Sequence, residues 1–287
     1  MSEVHPPQAL AGKRILITGA SRGIGAVVAG CLAARGAQLV LVARDAGALL
    51  ERAANLEGGP HSTVALDVRD EKAWDAARLS IAPKGDLDGV VTAAAALAPI
   101  GPLGSWGIAA FRETLDLNVC GTLLAVLSCL EPLRSRGGSI VTFSGGGATG
   151  PMPRFDAYAT SKAAVVRLTE NLAVDLAIEG IRANSVAPGF VLTSMHDETL
   201  AAGPDLVGTE YFEKTRRTVL GGLGDSPQLA AELVAFLVSD ASRGITGRLL
   251  SARWDPWQNT KFQERLRTEK DLATLRRIDD SFYTVVG

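Results

Sequence analysis

The sequence predicts an α/β chain: a single doubly wound parallel sheet of about seven strands with helices on both faces. Three observations carry the prediction. Short apolar runs alternate with helical stretches from residue 13 onward. Runs such as QLVLVA at 38–43 are apolar at consecutive positions rather than at every second one, the pattern of a strand covered on both faces. The stretches between the runs are long enough for crossover helices, which parallel neighbours require. Composition agrees. Of 287 residues 47% are hydrophobic and 21% charged, an ordinary globular balance that suits one large α/β domain or two small ones.

Taken in order, strands are expected at 13–18, 38–43, 63–66, 89–93, 139–144 and 182–187, with a last one at 248–252. Between the first two lies a helix over 23–34, stopped by Gly36. Asp45 reads as the N-cap of a helix over 45–55, and a further helix covers 70–80 before Pro83. Two longer helices are expected at about 111–133 and 156–179. The stretch from about 190 to 225 is rich in Gly, Thr and charge with weak periodicity, and reads as a long loop of the lid type. Ser226-Pro227 then forms an N-cap and N1 pair opening a helix to Ser239. Residues 1–12 are an N-terminal segment and 13–253 the main domain. Residues 254–287 read as a short helical appendage, with Phe262 and Leu266 four apart, Leu272, Leu275 and Ile278 three apart, and Thr268 with Asp271 as a capping box.

Charge and composition exclude several functions. Twenty-nine basic against 31 acidic residues leave a net charge of −2, which offers no field for nucleic acid or an anionic membrane. No apolar run approaches the roughly 18 residues of a membrane span. The N-terminus lacks the apolar core of a secretory signal. Cys31, Cys120 and Cys129 are odd in number, lack CxxC spacing and lie in apolar helical contexts. They read as buried free thiols in a reducing, cytoplasmic compartment, and no metal site is expected.

The chemistry begins at Thr18-Gly19-Ala20-Ser21-Arg22-Gly23-Ile24-Gly25, which follows a strand and opens a helix. Backbone N–H groups at a helix N-terminus and the helix dipole favour an anion there, and glycines let a pyrophosphate approach the backbone. The second strand ends Val42-Ala43-Arg44, without the carboxylate that would accept from a free ribose hydroxyl. Arg22 and Arg44 instead suit a 2′-phosphate, which guanidinium binds in a forked geometry. Asp45 is the competing reading, because it could reach back to the ribose.

Tyr158 and Lys162 lie four apart near the start of a helix, hence on one face. An ammonium beside a phenol favours the phenolate and lowers its pKa, so the pair could pass a proton to or from a substrate oxygen. A core tyrosine followed by a surface lysine gives the same spacing.

TGASRGIG, Asn118, Ser144, YATSK and Pro188-Gly189, in this order, resemble the short-chain dehydrogenase/reductase family over residues 13–252. The resemblance implies a Rossmann sheet of seven parallel strands and a nicotinamide cofactor. It implies Tyr158 as general acid/base, Lys162 holding the nicotinamide ribose, and Asn118 anchoring a water in the proton relay. Gly19, Ser21, Arg22, Gly23, Ile24, Gly25, Arg44 and Ala94 would line the cofactor. Asp67 and Val68 would meet the adenine; Pro188, Gly189 and Thr193 would line the nicotinamide and pyrophosphate. A homodimer or homotetramer through the helices at 111–133 and 156–179 is also implied.

Two departures stand out. The family's Asn-Asn-Ala-Gly stretch is here Thr92-Ala93-Ala94-Ala95. The substrate-orienting serine usually precedes the tyrosine by 13, and that position is Gly145. Either Ser144 supplies the hydroxyl through a flexible Gly145–Gly147 run, or the site lacks it; Ser144 is taken as the functional serine. The pocket wall, with Pro151, Met152, Pro153 and Phe155, is apolar. Arg154 reads as a surface arginine or an anion partner, His196 as a lid histidine or a substrate ligand. His5 and His61 belong to no constellation. The sequence therefore predicts an NADP(H)-dependent oxidoreductase interconverting a ketone and a secondary alcohol. Its alternative is a catalytically silent NADP(H)-binding sensor or scaffold.

Overall fold

A computed structural model describes residues 9–277. Ile278, His5 and the first part of the N-terminal segment lie outside the described residues. Seven parallel strands form one sheet in the order β3-β2-β1-β4-β5-β6-β7. The strands are β1 (Arg14–Thr18), β2 (Gln38–Ala43), β3 (Ser62–Ala65), β4 (Gly89–Thr92), β5 (Ser139–Phe143), β6 (Arg182–Ala187) and β7 (Leu249–Ser251). Consecutive side chains of one strand enter opposite cores, which is why the strands read as unbroken apolar runs. Ile15 and Ile17 join α1 (Gly23–Ala33) and α9 (Pro227–Val238) on one face. Leu16 joins α3 (Glu71–Ile81), α5 (Gly121–Arg134) and α6 (Asp156–Asp175) on the other. The order reverses on either side of β1 and β4, so the crevice at their C-terminal ends is the switch point at which such sheets bind ligands.

Caps start three helices, Asp45 and Ser226 as expected and Asp70 where the sequence reading has the helix already begun. Asp45 accepts from the Ala48 amide at 3.0 Å to start α2 (Ala46–Ala54), Asp70 from Ala73 at 3.0 Å to start α3, and Ser226 from Gln228 to start α9.

Several expectations are corrected. The helix expected at 111–133 starts at Ile108. It consists of α4 (Ile108–Leu115), a π turn over Asp116–Cys120, and α5. Counted as one helix, Ile108–Arg134 is 27 residues long and apolar enough by length and composition to cross a membrane. Polar residues spaced along it hid that length in the sequence; Ala125, Val126, Cys129 and Leu133 pack it on the sheet. The helix expected to reach 179 ends at Asp175, followed by a 3-10 turn over Ala177–Glu179. The 190–225 stretch is no long loop. It carries α7 (Ser194–Val207), broken at Gly203, and α8 (Thr209–Leu220). Cys31 and Cys129 are buried, but Cys120 is exposed.

The appendage contains α10 (Thr260–Thr268), capped by Asn259. Thr268 ends that helix and donates back to the Glu264 carbonyl, so it caps nothing at Asp271. Trp257 is core packing, its ring 5.8 Å from that of Phe236, while Trp254 is exposed beneath Arg253. Beyond α10 the chain closes the outer edge of the sheet. The Leu249 amide of β7 donates to the Ala273 carbonyl at 2.7 Å. The buried Arg248 guanidinium donates to the carbonyls of Leu266, Lys270 and Leu272 at 2.7–2.8 Å. Glu170 of α6 holds the Leu275 amide at 2.8 Å.

Arg248 is thus the anchor of the appendage. Hydrogen bonds from a charged group are worth about 1.5–3 kcal/mol. Arg248→Met is expected to lower Tm by roughly 3–10 °C and to open residues beyond 254 to limited proteolysis before the sheet. An unchanged Tm and cleavage pattern would contradict this.

Candidate active site

The glycine turn is shaped by backbone touching backbone. Gly19 has φ +67°, and a Cβ there would lie 2.7 Å from the Ala94 nitrogen; one at Gly25 would lie 2.3 Å from the Gly19 carbonyl oxygen. Gly23, at φ +57°, instead faces open space, with the Thr193 methyl 3.8 Å from where its Cβ would be. Arg22 occupies the N-cap of α1 with no side-chain cap, and the first turn holds no acidic residue. A cradle of first-turn amides therefore opens beneath Thr193, a fit for a dinucleotide pyrophosphate. Ser21, Ile24 and Ala94 border it and are partly exposed. The Ala94 amide donates to Thr18 Oγ1 at 3.3 Å, joining β4 to the turn.

Arg44, just past β2, and Arg22, at the N-cap of α1, are exposed, and neither side chain makes a hydrogen bond or ion pair among the described residues. Asp45 accepts the Ala48 amide on Oδ1 as the cap of α2. Asp67 is gripped by Arg69, which donates through Nε at 3.0 Å and Nη2 at 2.7 Å. That grip, with the Arg69 amide and the Arg44 charge, holds Asp67 down to about 2. Val68 is buried against Gly121, and its carbonyl accepts from the Trp74 indole at 3.0 Å. Arg69 carried no recognisable signal in the sequence.

Beside the crevice α6 presents Tyr158 and Lys162. Lys162 is buried, and its Nζ donates to the Phe143 carbonyl at 3.0 Å, lying 5.7 Å from the Tyr158 ring centre. Burial pulls the ammonium down to about 8. Tyr158 is pushed up to about 12, first by burial and then by Tyr211. This reverses the expected depression: desolvation of the phenolate outweighs a lysine turned toward a backbone carbonyl. Asn118, in the π turn, spends its carboxamide entirely. Its Oδ1 accepts from the Ala96 amide at 2.8 Å, and its Nδ2 donates to the Ala96 carbonyl and to Ser161 Oγ, each at 2.9 Å.

Position 145 faces the tyrosine. A Cβ at Gly145 would lie 2.3 Å from Tyr158 Oη and 3.0 Å from its Cζ. Ser144 is buried, its amide donating to Val186, and its hydroxyl makes no hydrogen bond to Tyr158. The chain leaving β5 aims the next residue at α6.

Pro188 and Gly189 lead into the lid. Gly189 has φ +86°, and a Cβ there would lie 2.4 Å from Asp225 Oδ2, which accepts from the Phe190 amide at 2.6 Å. Arg253 pairs with the other Asp225 oxygen. Thr193 caps α7, and its amide donates to His196 Nδ1 at 3.3 Å, so His196 serves the cap. Arg154 donates to the Asp205 and Leu206 carbonyls at 2.6 and 3.1 Å and caps the far end of α7. His61 accepts from the Leu39 amide, a structural role. Over Tyr158, Leu97, Phe155 and Val207 pack with Met152, Met195, Tyr211 and Phe212. Tyr211 and Phe212 were hidden in a stretch read as loop.

Gly19→Ala is expected to unfold the turn. The left-handed backbone costs an alanine about 1–2 kcal/mol, and the overlap with Ala94 adds to it. Tm should fall and added dinucleotide should give no thermal shift; a wild-type shift would refute the close contact.

Comparison with known proteins agrees with this geometry. Residues 19–252 match the family model described as enoyl-(acyl carrier protein) reductase. The chain is 35% identical over 249 residues to oxidoreductase UcpA of Salmonella typhimurium, covering 83% of this chain and 92% of that one. It is 35% identical over 249 residues to cis-4-hydroxycyclohexanecarboxylate dehydrogenase of Sinomonas cyclohexanicum, covering 85% and 96%. A solved NAD+-bound xylitol dehydrogenase superimposes with a TM-score of 0.75 at 26% identity, covering 84% of this chain and 98% of that one. By the family model that spans residues 19–252 and by relatives at 35% identity over most of both chains, this chain, with its parallel seven-stranded sheet, belongs to the short-chain dehydrogenase/reductase family of nicotinamide-dependent oxidoreductases acting on alcohols and ketones.

Proposed function

We propose that this protein is an NADP(H)-dependent reductase of small apolar ketones, working reversibly on the secondary alcohols, with Tyr158 as general acid/base. The observation that carries the reading is the meeting of Tyr158 and Lys162 at Gly145, with Asn118 bonded to Ser161 of the same helix, against an apolar cluster. When bound, the dinucleotide supplies the hydride. Gly19, Ser21, Gly23, Ile24 and Gly25 border its pyrophosphate, with Pro188, Gly189 and Thr193 opposite. Arg22 and Arg44 hold the 2′-phosphate with donors not spent elsewhere. Asp67, Val68 and Ala94 border the adenosine side.

Tyr158, held protonated to about 12, is a proton donor throughout the neutral range, which suits reduction. Lys162 contributes charge only while protonated. Asn118 keeps the loop after β4 fixed against α6, so the tyrosine and the cofactor wall stay in register. The silent-binder alternative has no observation in its favour beyond Gly145. A homodimer or homotetramer is proposed through α5 and α6, which leave Leu127 53% and Val174 76% exposed, with Ile178 of the following 3-10 turn 95% exposed; a monomeric mass by light scattering would reject it.

Reduction of a ketone panel, followed by loss of NADPH absorbance, tests the activity; no turnover with any member would refute it. Arg44→Ala should weaken NADPH by roughly ten- to a hundredfold and leave NADH nearly unchanged. Equal wild-type affinity for both would refute the preference. Tyr158→Phe should cut turnover by about 10²–10⁴ while NADPH still binds. Because Lys162 loses its proton near 8, kcat/KM for NADPH should fall above that pH, about tenfold per unit. A flat profile to pH 10 would remove Lys162 from cofactor binding.

A further inference from the structure

A carbonyl oxygen that receives negative charge is steadied best by two donors, and Tyr158 is one. Gly145 cannot be the second, since any side chain there meets Tyr158. Ser144 makes no hydrogen bond to it. Across the crevice, Tyr211 of α8 packs in the same apolar cluster as Tyr158. Its ring centre is 5.3 Å from that of Phe155, tilted by 59°. Within that cluster Tyr158 and Tyr211 are the side chains that carry hydroxyls, and the Tyr211 hydroxyl makes no hydrogen bond to the described residues. Tyr211 also adds to the rise in the pKa of Tyr158, after burial.

We propose that Tyr211, carried in by the lid, donates the second hydrogen bond to the substrate carbonyl oxygen, in the place where the sequence expects Ser144. The inference rests on the carbonyl-reductase reading above. In the step, a hydride from the reduced dinucleotide forms the new C–H bond at the carbonyl carbon. The C=O π pair moves to oxygen, which takes the Tyr158 proton. Tyr211 keeps its own proton and gives up nothing but a hydrogen bond. The lid is then part of the oxyanion site, complete only when α8 is seated over Phe155. A lid that merely excludes water would place no demand on residue 211 beyond its ring.

The test compares Tyr211→Phe, Ser144→Ala and wild type as full chains. Phenylalanine keeps the ring on Phe155, so Tm and the NADPH dissociation constant should be those of wild type. Turnover of a simple aliphatic ketone should fall about 10²–10³-fold. A ketone activated by electron-withdrawing groups, whose alkoxide needs less support, should lose less. A binding readout stands beside activity: 2,2,2-trifluoroethanol, an acidic alcohol that presents an alkoxide-like oxygen, should bind the NADP+ complex of Tyr211→Phe about ten- to a hundredfold more weakly than that of wild type. Turnover and trifluoroethanol binding within threefold of wild type would overturn the proposal. So would a loss of the predicted size in Ser144→Ala with Tyr211→Phe unimpaired. A wild type that reduces no ketone would overturn the reductase reading and Tyr211's role together, whereas an active wild type matched by Tyr211→Phe overturns Tyr211 alone.

Discussion

Asn118 ties the loop after β4 to the reactive helix. Its carboxamide takes both the amide and the carbonyl of Ala96, in the strand-like loop after β4, and gives its remaining proton to Ser161 of α6. Ser161 in turn donates to the Tyr158 carbonyl, so the loop and the reactive helix are joined through the buried Asn118 and Ser161. A side chain that satisfies every donor in this way is expensive to replace, because each abandoned group is left dry. The π turn over Asp116–Cys120 brings Asn118 to this place; such single-turn departures from α geometry recur at functional sites. Once Ala96 is pinned, Ala94 follows, and Ala94 is the surface on which Gly19 rests.

The cofactor side of the crevice is governed by the same closeness. Gly19 against Ala94 and Gly25 against Gly19 leave no room for a methyl group, so the turn has one conformation and its amides point outward without reorganisation. Charge then divides the work at the rim. Asp45 caps α2 and Asp67 is taken by Arg69, so the carboxylates nearest the tip of β2 are occupied by protein partners. Arg22 and Arg44 keep their donors. An aspartate in the neighbourhood is therefore weak evidence for a free ribose hydroxyl unless its own hydrogen bonds are known.

What the sequence made legible follows from how local the cause is. β2 and β6 have the expected bounds because a doubly buried strand writes its pattern in consecutive residues. Asp45 and Ser226 are legible as caps because the acceptor and donor are two or three residues apart. The lid was misread for the same reason in reverse. Gly203, Pro204 and Gly208 punctuate it like a loop, yet the glycines only mark the break in α7 and the junction with α8. The Thr268–Asp271 spacing fits a cap but falls at the end of a helix, where Asn259 had already done that work at its start. Cys120 sits among apolar residues in sequence, but the π turn rotates it outward. Tyr158, Lys162 and the glycine turn could be listed from spacing. That Gly145 meets Tyr158, and that Tyr211 lies over it, depends on contacts across 13 and more residues that no periodicity records.

The protonation of the reactive pair also lies beyond spacing, because burial decides it. Proximity alone argues that Lys162 makes Tyr158 more acidic; the folded chain makes it less so. Phe155, Tyr211 and the rest of the apolar cluster strip water from the phenol, and the ionised form loses more by that than a turned-away ammonium returns. Lys162 suffers the same stripping and comes down to about 8, so both partners are driven toward their neutral forms. A neutral phenol beside a crevice that admits a polarised carbonyl is a donor waiting for the oxygen to become basic. Negative charge arriving on that oxygen is what makes transfer favourable, and the apolar wall that raised the phenol's pKa makes an unshared charge there costly as well. The lid thus sets the demand for a second hydrogen-bond donor by the same packing that brings Tyr211 to the place where one is needed.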